Sequence, residues 1–186
     1  MGPITVEGQE PLAAPQATLM ASVARGVIQH IGDDARFHHT RAFVELSLEL
    51  TAGVREALDE PSGLRPNFLG HVLVEVLLDA LLIAENPARL EAYYRAIESA
   101  DGERIEAAVN RMARRPTARL APMIRLFCRE RILSDYAEDG KLLLRLNQVM
   151  HRVGFARLPD DFRQVLPDAR RRVDGRKAEL LDGIPT

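Results

Sequence analysis

From Thr18 almost to the C-terminus, apolar residues recur every three to four positions, the period of helices that turn one face toward a core. No run alternates with period two over strand length, apart from a weak candidate near Ile4–Val6. The expected fold class is therefore all-α, with helices at roughly 17–31, 36–59, 67–85, 88–99, 101–114, 117–134, 137–153 and 159–182. The punctuation agrees. Pro61-Ser62-Gly63 separates the second helix from the third, and Asn86-Pro87 supplies a cap followed by proline at the first helical position. Asp101-Gly102, Arg115-Pro116-Thr117, Asp139-Gly140 and Leu158-Pro159 mark other ends.

With 186 residues, the periodic part fits one compact domain of seven or eight helices over 17–186. Residues 1–16 hold Gly2, Pro3, Gly8, Pro11 and Pro15 and little periodicity, which reads as a flexible arm. A formal net charge of -2 gives no global attraction to nucleic acid or anionic membranes. Aromatic residues are too sparse for a base-stacking surface, so nucleic acid is not an expected partner. The single cysteine, Cys128, excludes an internal disulfide and reads as a buried, reduced thiol. The most apolar run, Phe68–Ile83, is shorter than a membrane span and carries His71, Glu75 and Asp79. With no basic start followed by an apolar core, the expectation is a cytoplasmic protein without a membrane partner.

Two stretches carry unusual chemistry. In the first, Gly26–His39, three of the five histidines fall within ten residues. His30, Asp34 and His38 are spaced four apart and share one side of a helix if that helix survives Gly32 and the two aspartates. In the second, His71, Glu75 and Asp79 are again spaced four apart, with only Val and Leu between them. A helix that is apolar on nearly all sides is expected to be buried, so Glu75 and Asp79 must be paired, protonated or bound to a cation. Nothing in the folding of a helical domain requires two acids there.

Metal binding accounts for both stretches. Eight residues along a helix span ~12 Å, so all six groups cannot reach one ion. Three or four ligands, held in place by the rest, is the realistic set. Mixed imidazole and carboxylate ligands suit Mn²⁺, iron or Zn²⁺, and carboxylates with water suit Mg²⁺. The bland alternative is that Glu75 and Asp79 pair with Arg25, Arg41 or Arg65, and that His38 or His39, His39 above all, is a surface or capping residue. Two basic clusters, Arg111, Arg114, Arg115 and Arg119 and then Arg170, Arg171, Arg172, Arg176 and Lys177, read as solvated helix faces or as docking sites for acidic groups.

These motifs resemble the acyl carrier protein phosphodiesterase family. One family motif runs roughly Gly-Ile-x-Leu-His-Arg-x-Ile-Asp-x-Phe-Thr-Asp. Gly26, Val27, His30 and Asp34 match its glycine, apolar residue, histidine and following aspartate, and His38 falls on its last aspartate. A second, roughly Leu-x-Asp-Val-x-x-Asp-His-Phe-Leu, matches Val74 to Leu82, with Glu75 for the first aspartate, Asp79 kept, and Ala80 in place of histidine. Leu133-Ser-Asp-Tyr136 and the segment Leu144 to Arg152 look like the family's tyrosine-containing helix and its Met-Arg ending. The family's opening Gly-Asn-x-Leu-x-Asp has no acid at the corresponding place in Ala17–Arg25.

The resemblance implies a helical fold related to HD-type phosphohydrolases. It also implies metal-dependent hydrolysis of the phosphodiester that joins 4′-phosphopantetheine to a carrier-protein serine. On that footing His30, Asp34, His38, His71 and Asp79 are the metal-ligand candidates, and Glu75 and Asp79 the catalytic ones. Mn²⁺ or Mg²⁺ is the expected ion, with iron or Zn²⁺ behind them. Arg111, Arg114, Arg115 and Arg119 would dock an acidic carrier protein, and a homodimer through an apolar helix face is compatible with the pattern. The alternative is a non-catalytic helical relative that binds a partner or small ligand through the same cavity. A ferritin-like carboxylate protein is the weakest reading, because the chain has no Glu-x-x-His.

Overall fold

The computed structural model describes residues 14–58 and 65–184, and every regular element among them is helical. Residues 1–13 of the expected arm and the Pro61-Ser62-Gly63 break lie outside the described residues. The first helix, α1, spans Ala14–His39 and corrects the expected division at 31–36. Gly32 costs a helix interior about 1 kcal/mol but does not stop it. Asp33 stays on the helix surface, where its carboxylate accepts from Gln29 (2.7 Å) and pairs with Arg36 instead of capping a new helix.

The real break comes at Thr40. Its hydroxyl accepts from the Phe43 amide (3.1 Å), capping α2 (Arg41–Ala57), and donates to the Phe37 carbonyl (2.9 Å) at the end of α1. One side chain thus satisfies both helix ends and fixes the corner between them. α2 buries Ala42, Phe43, Leu46, Leu50 and Val54, a stripe at helical spacing. That stripe packs against α3 (Pro66–Glu85), which opens on a proline at its first position. The two helices run in opposite directions: Arg55 meets Asn67, Thr51 meets Gly70 and Phe43 meets His71.

Gly70 sets how close they come. A Cβ there would lie 2.5 Å from the Ser47 carbonyl oxygen and 2.8 Å from the Thr51 amide nitrogen, besides colliding with the Thr51 hydroxyl. Only glycine admits this crossing. α3 is 20 residues long with a mean hydropathy of 1.8 over its most apolar window, enough in length and composition to cross a bilayer. In the fold it packs against α2, Ile132–Ala137 and a C-terminal helix, with 39% of that stretch buried.

Asn86 caps α4 (Pro87–Glu98) as the sequence predicts, accepting from the Arg89 amide (3.1 Å). Asp101, expected as the first residue of a helix, instead caps α5 (Gly102–Met112), accepting from the Arg104 amide (3.0 Å). The expected helix 117–134 is shorter. α6 (Leu120–Glu130) ends where Arg131 adopts the left-handed conformation (φ 45°, ψ 48°), and a 3-10 turn follows over Ile132–Ala137. Arg131 is held there by stacking on Tyr94 (4.4 Å) and by its pair with Glu91, while the Tyr94 hydroxyl accepts from the Leu133 amide (3.0 Å).

α7 spans Asp139–Arg152. The expected helix 159–182 is three pieces: a 3-10 turn Asp160–Gln164, α8 (Leu166–Gly175) and α9 (Lys177–Leu180). Pro167 explains the first cut, because a residue without an N–H is tolerated in the first turn of a helix and not in its interior.

The main core is built from α2, α3, α7, α8 and α9, with Leu46, Leu73, Leu77, Leu142, Leu146, Phe162 and Val173 among its buried members. The C-terminal basic run is spent on this assembly. Arg176 binds Glu45 and Glu179, Lys177 binds Glu85, Arg172 reaches Glu49 and Asp168, and Arg170 binds Asp139. α1 lies outside the core, contributing Phe37 to its edge and leaving Val27, Ile28 and Ile31 exposed. Cys128 is half-buried rather than enclosed, and desolvation raises its thiol pKa.

Candidate metal centre

The α1–α2 corner and the α2–α3 crossing together bring the last turn of α1 onto the first half of α3. There His38 Nε2 lies 3.2 Å from His71 Nε2 and 3.0 Å from Glu75 Oε1, and His71 Nε2 lies 3.3 Å from the same oxygen. Among the described residues, these three side chains are close enough to share one ion. They are half-open to solvent, with side-chain exposures of 22%, 44% and 38%.

Hydrogen bonding fixes the state of His38. Its Nδ1 faces two acceptors, the Asp34 carbonyl at 2.9 Å and the Asp34 carboxylate at 3.3 Å, so Nδ1 carries the proton and donates. In the neutral ring Nε2 then presents a lone pair to the Glu75 carboxylate. Two acceptors at 3.0 Å repel unless a proton on His71 Nε2, 3.2 Å from one and 3.3 Å from the other, or a cation sits among the three groups. A histidine whose far nitrogen donates to a backbone carbonyl is the usual arrangement of a metal ligand. The donor set, two imidazoles and one carboxylate with solvent access, fits a divalent transition-metal ion.

Phe43 holds the two rings. Its ring stands perpendicular to His38 (4.5 Å between centroids) and His71 (4.9 Å), each at 86°, while the imidazoles lie nearly parallel at 14°. Phe37 adds an edge contact to His38 at 5.4 Å. Phe43 and Gly70 were not legible as site residues from charge spacing. Gly70 alone had a sequence signal, a glycine inside an otherwise apolar helix, which marks close backbone approach.

The other candidates are placed differently. His30 is exposed, near an Asp33 whose carboxyl is held below the usual carboxylate range by hydrogen bonds from Gln29 and then Arg36. Asp34 is exposed and acts on His38 from behind. His39 is exposed, its ring against the Ala35 carbonyl (2.6 Å), as expected of a surface residue. Glu75 is half-buried and Asp79 is exposed, which corrects the expectation that both would be enclosed: neighbouring elements cover α3 on part of its surface only. Arg25, Arg41 and Arg65 go to Ser22, Glu45 and the Phe155 ring, so the anticipated ion pairs with Glu75 and Asp79 are not made.

Asp79 sits one turn beyond Glu75. Although solvent reaches it, the protein crowded around it removes enough water to raise its pKa to about 6, and the Glu75 charge adds to the shift. Tyr93 on α4 and Tyr136 in the 3-10 turn share this environment: burial raises both phenols and the Asp79 charge raises them further. A cavity of about 470 Å³ opens on the opposite side of the histidines, toward Asn67. Arg111, Arg114, Arg115 and Arg119 are exposed between α5 and α6. Compared with known proteins, the chain matches no family model, no curated protein and no solved structure.

Proposed function

We propose that the protein is a metal-dependent hydrolase in which His38, His71 and Glu75 hold a divalent ion. The observation that carries the reading is the convergence of three ligand atoms within 3.0–3.3 Å around a His38 whose proton is committed to Asp34. Two imidazole nitrogens make Mn²⁺, iron or Zn²⁺ better fits than Mg²⁺. The bound ion would supply an acidified water and neutralise charge on a substrate oxygen. Asp34 orients His38, and Phe43 fixes both ring planes. Asp79, with a pKa near neutrality, is suited to accept or return a proton beside Glu75.

Phosphodiesters are the substrate class that the family resemblance suggests, in an HD-phosphohydrolase-like domain working in the cytoplasm. An acidic carrier protein would then meet Arg111, Arg114, Arg115 and Arg119. The test is hydrolysis of holo-carrier protein and of bis(p-nitrophenyl) phosphate by metal-stripped protein reloaded with Mn²⁺. Activity that needs the ion and falls at least ~100-fold in His71→Ala supports the reading. Loaded wild type that is inert on both substrates overturns the hydrolase.

One observation favours a non-catalytic protein that binds a partner or small ligand through the same cavity. His71 Nε2 lies 3.2 Å from His38 Nε2 and 3.3 Å from Glu75 Oε1, so an N–H there satisfies both acceptors without any ion. That reading predicts no metal uptake.

A further inference from the structure

The cavity beside the histidines has a composition that narrows what can bind there. It runs along the α2–α3 seam from His38 and His71 to Asn67, with Phe43, Val44, Ser47, Leu48 and Thr51 as its other lining residues. No lysine or arginine is among them. Val44 and Leu48, one turn apart on α2, are 49% and 66% exposed, large aliphatic side chains that nothing in the described fold covers.

The polar atoms of the wall are withdrawn. The Ser47 hydroxyl is covered and has no hydrogen-bond partner, so Ser47 does not offer it to the cavity. The Thr51 hydroxyl is spent on the Ser47 carbonyl (2.7 Å), and the Asn67 carbonyl oxygen on Arg55 (2.9 Å). What remains is an apolar trough with the His–His–Glu cluster at one end and the Asn67–Arg55 pair closing the other.

We infer that this trough takes the alkyl stem of a substrate whose polar head reaches the His38–His71–Glu75 centre. The metal-site reading underlies the head-group half of this inference. The stem half rests on the trough alone. Between its two ends the wall offers no cation and no free hydroxyl, so a nucleotide or sugar phosphate, polar along its whole length, fits poorly; the Arg55 guanidinium and the Asn67 amide hydrogens stand only at the far end. Length is bounded as well. His71 to Asn67 is one helical turn, and Val44 to Thr51 is two, so the trough is roughly 6–10 Å long, room for about five to eight carbons.

The experiment is titration of methyl-, butyl-, octyl- and dodecylphosphonate into Zn²⁺-loaded and metal-stripped protein, read by methyl NMR shifts. Affinity should rise roughly two- to fourfold per methylene up to about octyl and then stop, since full burial of a methylene is worth about fourfold. The Val44 and Leu48 methyls should shift with the alkyl stem. Leu48→Asn, at an exposed position that folding does not depend on, should flatten the series and leave methylphosphonate binding unchanged. A flat series in wild type that still binds methylphosphonate overturns the alkyl inference and leaves the metal centre standing. If Zn²⁺ does not bind, the metal reading fails, and the stripped protein decides the trough: octylphosphonate shifts at Val44 and Leu48 keep it, and their absence ends it.

Discussion

α1 and α3 carry the same device, three titratable groups spaced four apart, yet they use it differently. On α3 the first two members, His71 and Glu75, enter the centre, and Asp79 stands one turn beyond. On α1 only the last, His38, enters; Asp34 supports it, and His30 remains on the outer surface with Asp33. The cause is where the helices meet. α3 packs closely against α2, whereas α1 packs against α5 and α2 and meets His71 and Glu75 of α3 through His38 in its final turn. Four-residue spacing tells which groups share a face. It does not tell how much of that face another helix covers.

The contrast can be broken most severely at the α2–α3 crossing. Gly70→Ala adds a methyl where backbone atoms already stand within 2.8 Å, so the helices must part. Overpacking of this kind costs about 1–3 kcal/mol, and the better helix propensity of alanine returns up to about 1 kcal/mol. A net loss of about 1–2 kcal/mol in urea unfolding is expected. Metal affinity should fall at least ~10-fold, because His71 moves off His38. Unchanged stability would mean that the crossing is looser than its geometry states.

A smaller effect sharpens the α3 side. Asp79 binds its proton more tightly in the folded chain, about 6 against an ordinary 3.8, because water loss and then the Glu75 charge disfavour ionisation. The folded state therefore gains most below pH 4, and metal-free protein should lose stability as pH rises from about 4 through 6. Asp79→Asn should remove that decline, seen as unfolding midpoints that no longer fall across the window. Loading the centre with a divalent ion offsets the Glu75 charge and should lower the Asp79 pKa, measurable from its carboxyl carbon shift. An Asp79 that titrates near 3.8 in the metal-free protein would contradict the environment described for it. The smallest effect belongs to His30→Ala, an exposed substitution expected to change stability by less than about 0.5 kcal/mol and metal binding not at all.

Much of the fold was readable before any coordinates. The Asn86 cap and the apolar stripe of α2 are local physics, and they hold. The continuity of α1 through Gly32 was not readable, because the aspartates that resemble caps find partners along the helix surface. Nor was the left-handed Arg131, held by Tyr94 and Glu91, thirty-seven and forty residues away in the chain. At the site, acids in a Val and Leu helix were conspicuous by their cost. Phe43 carries no charge and its role exists only in the crossing, while Gly70 left one trace, a glycine inside an apolar helix.

The central claim is that His38, His71 and Glu75 act together while His30 does not. Calorimetric titration of Mn²⁺ into metal-stripped wild type, His38→Ala, His71→Ala, Glu75→Gln and His30→Ala tests it directly. The account predicts one site per chain, weakened at least ~100-fold by each of the first three changes and unaffected by the fourth. Binding that survives Glu75→Gln and His71→Ala, or that His30→Ala removes, would contradict it.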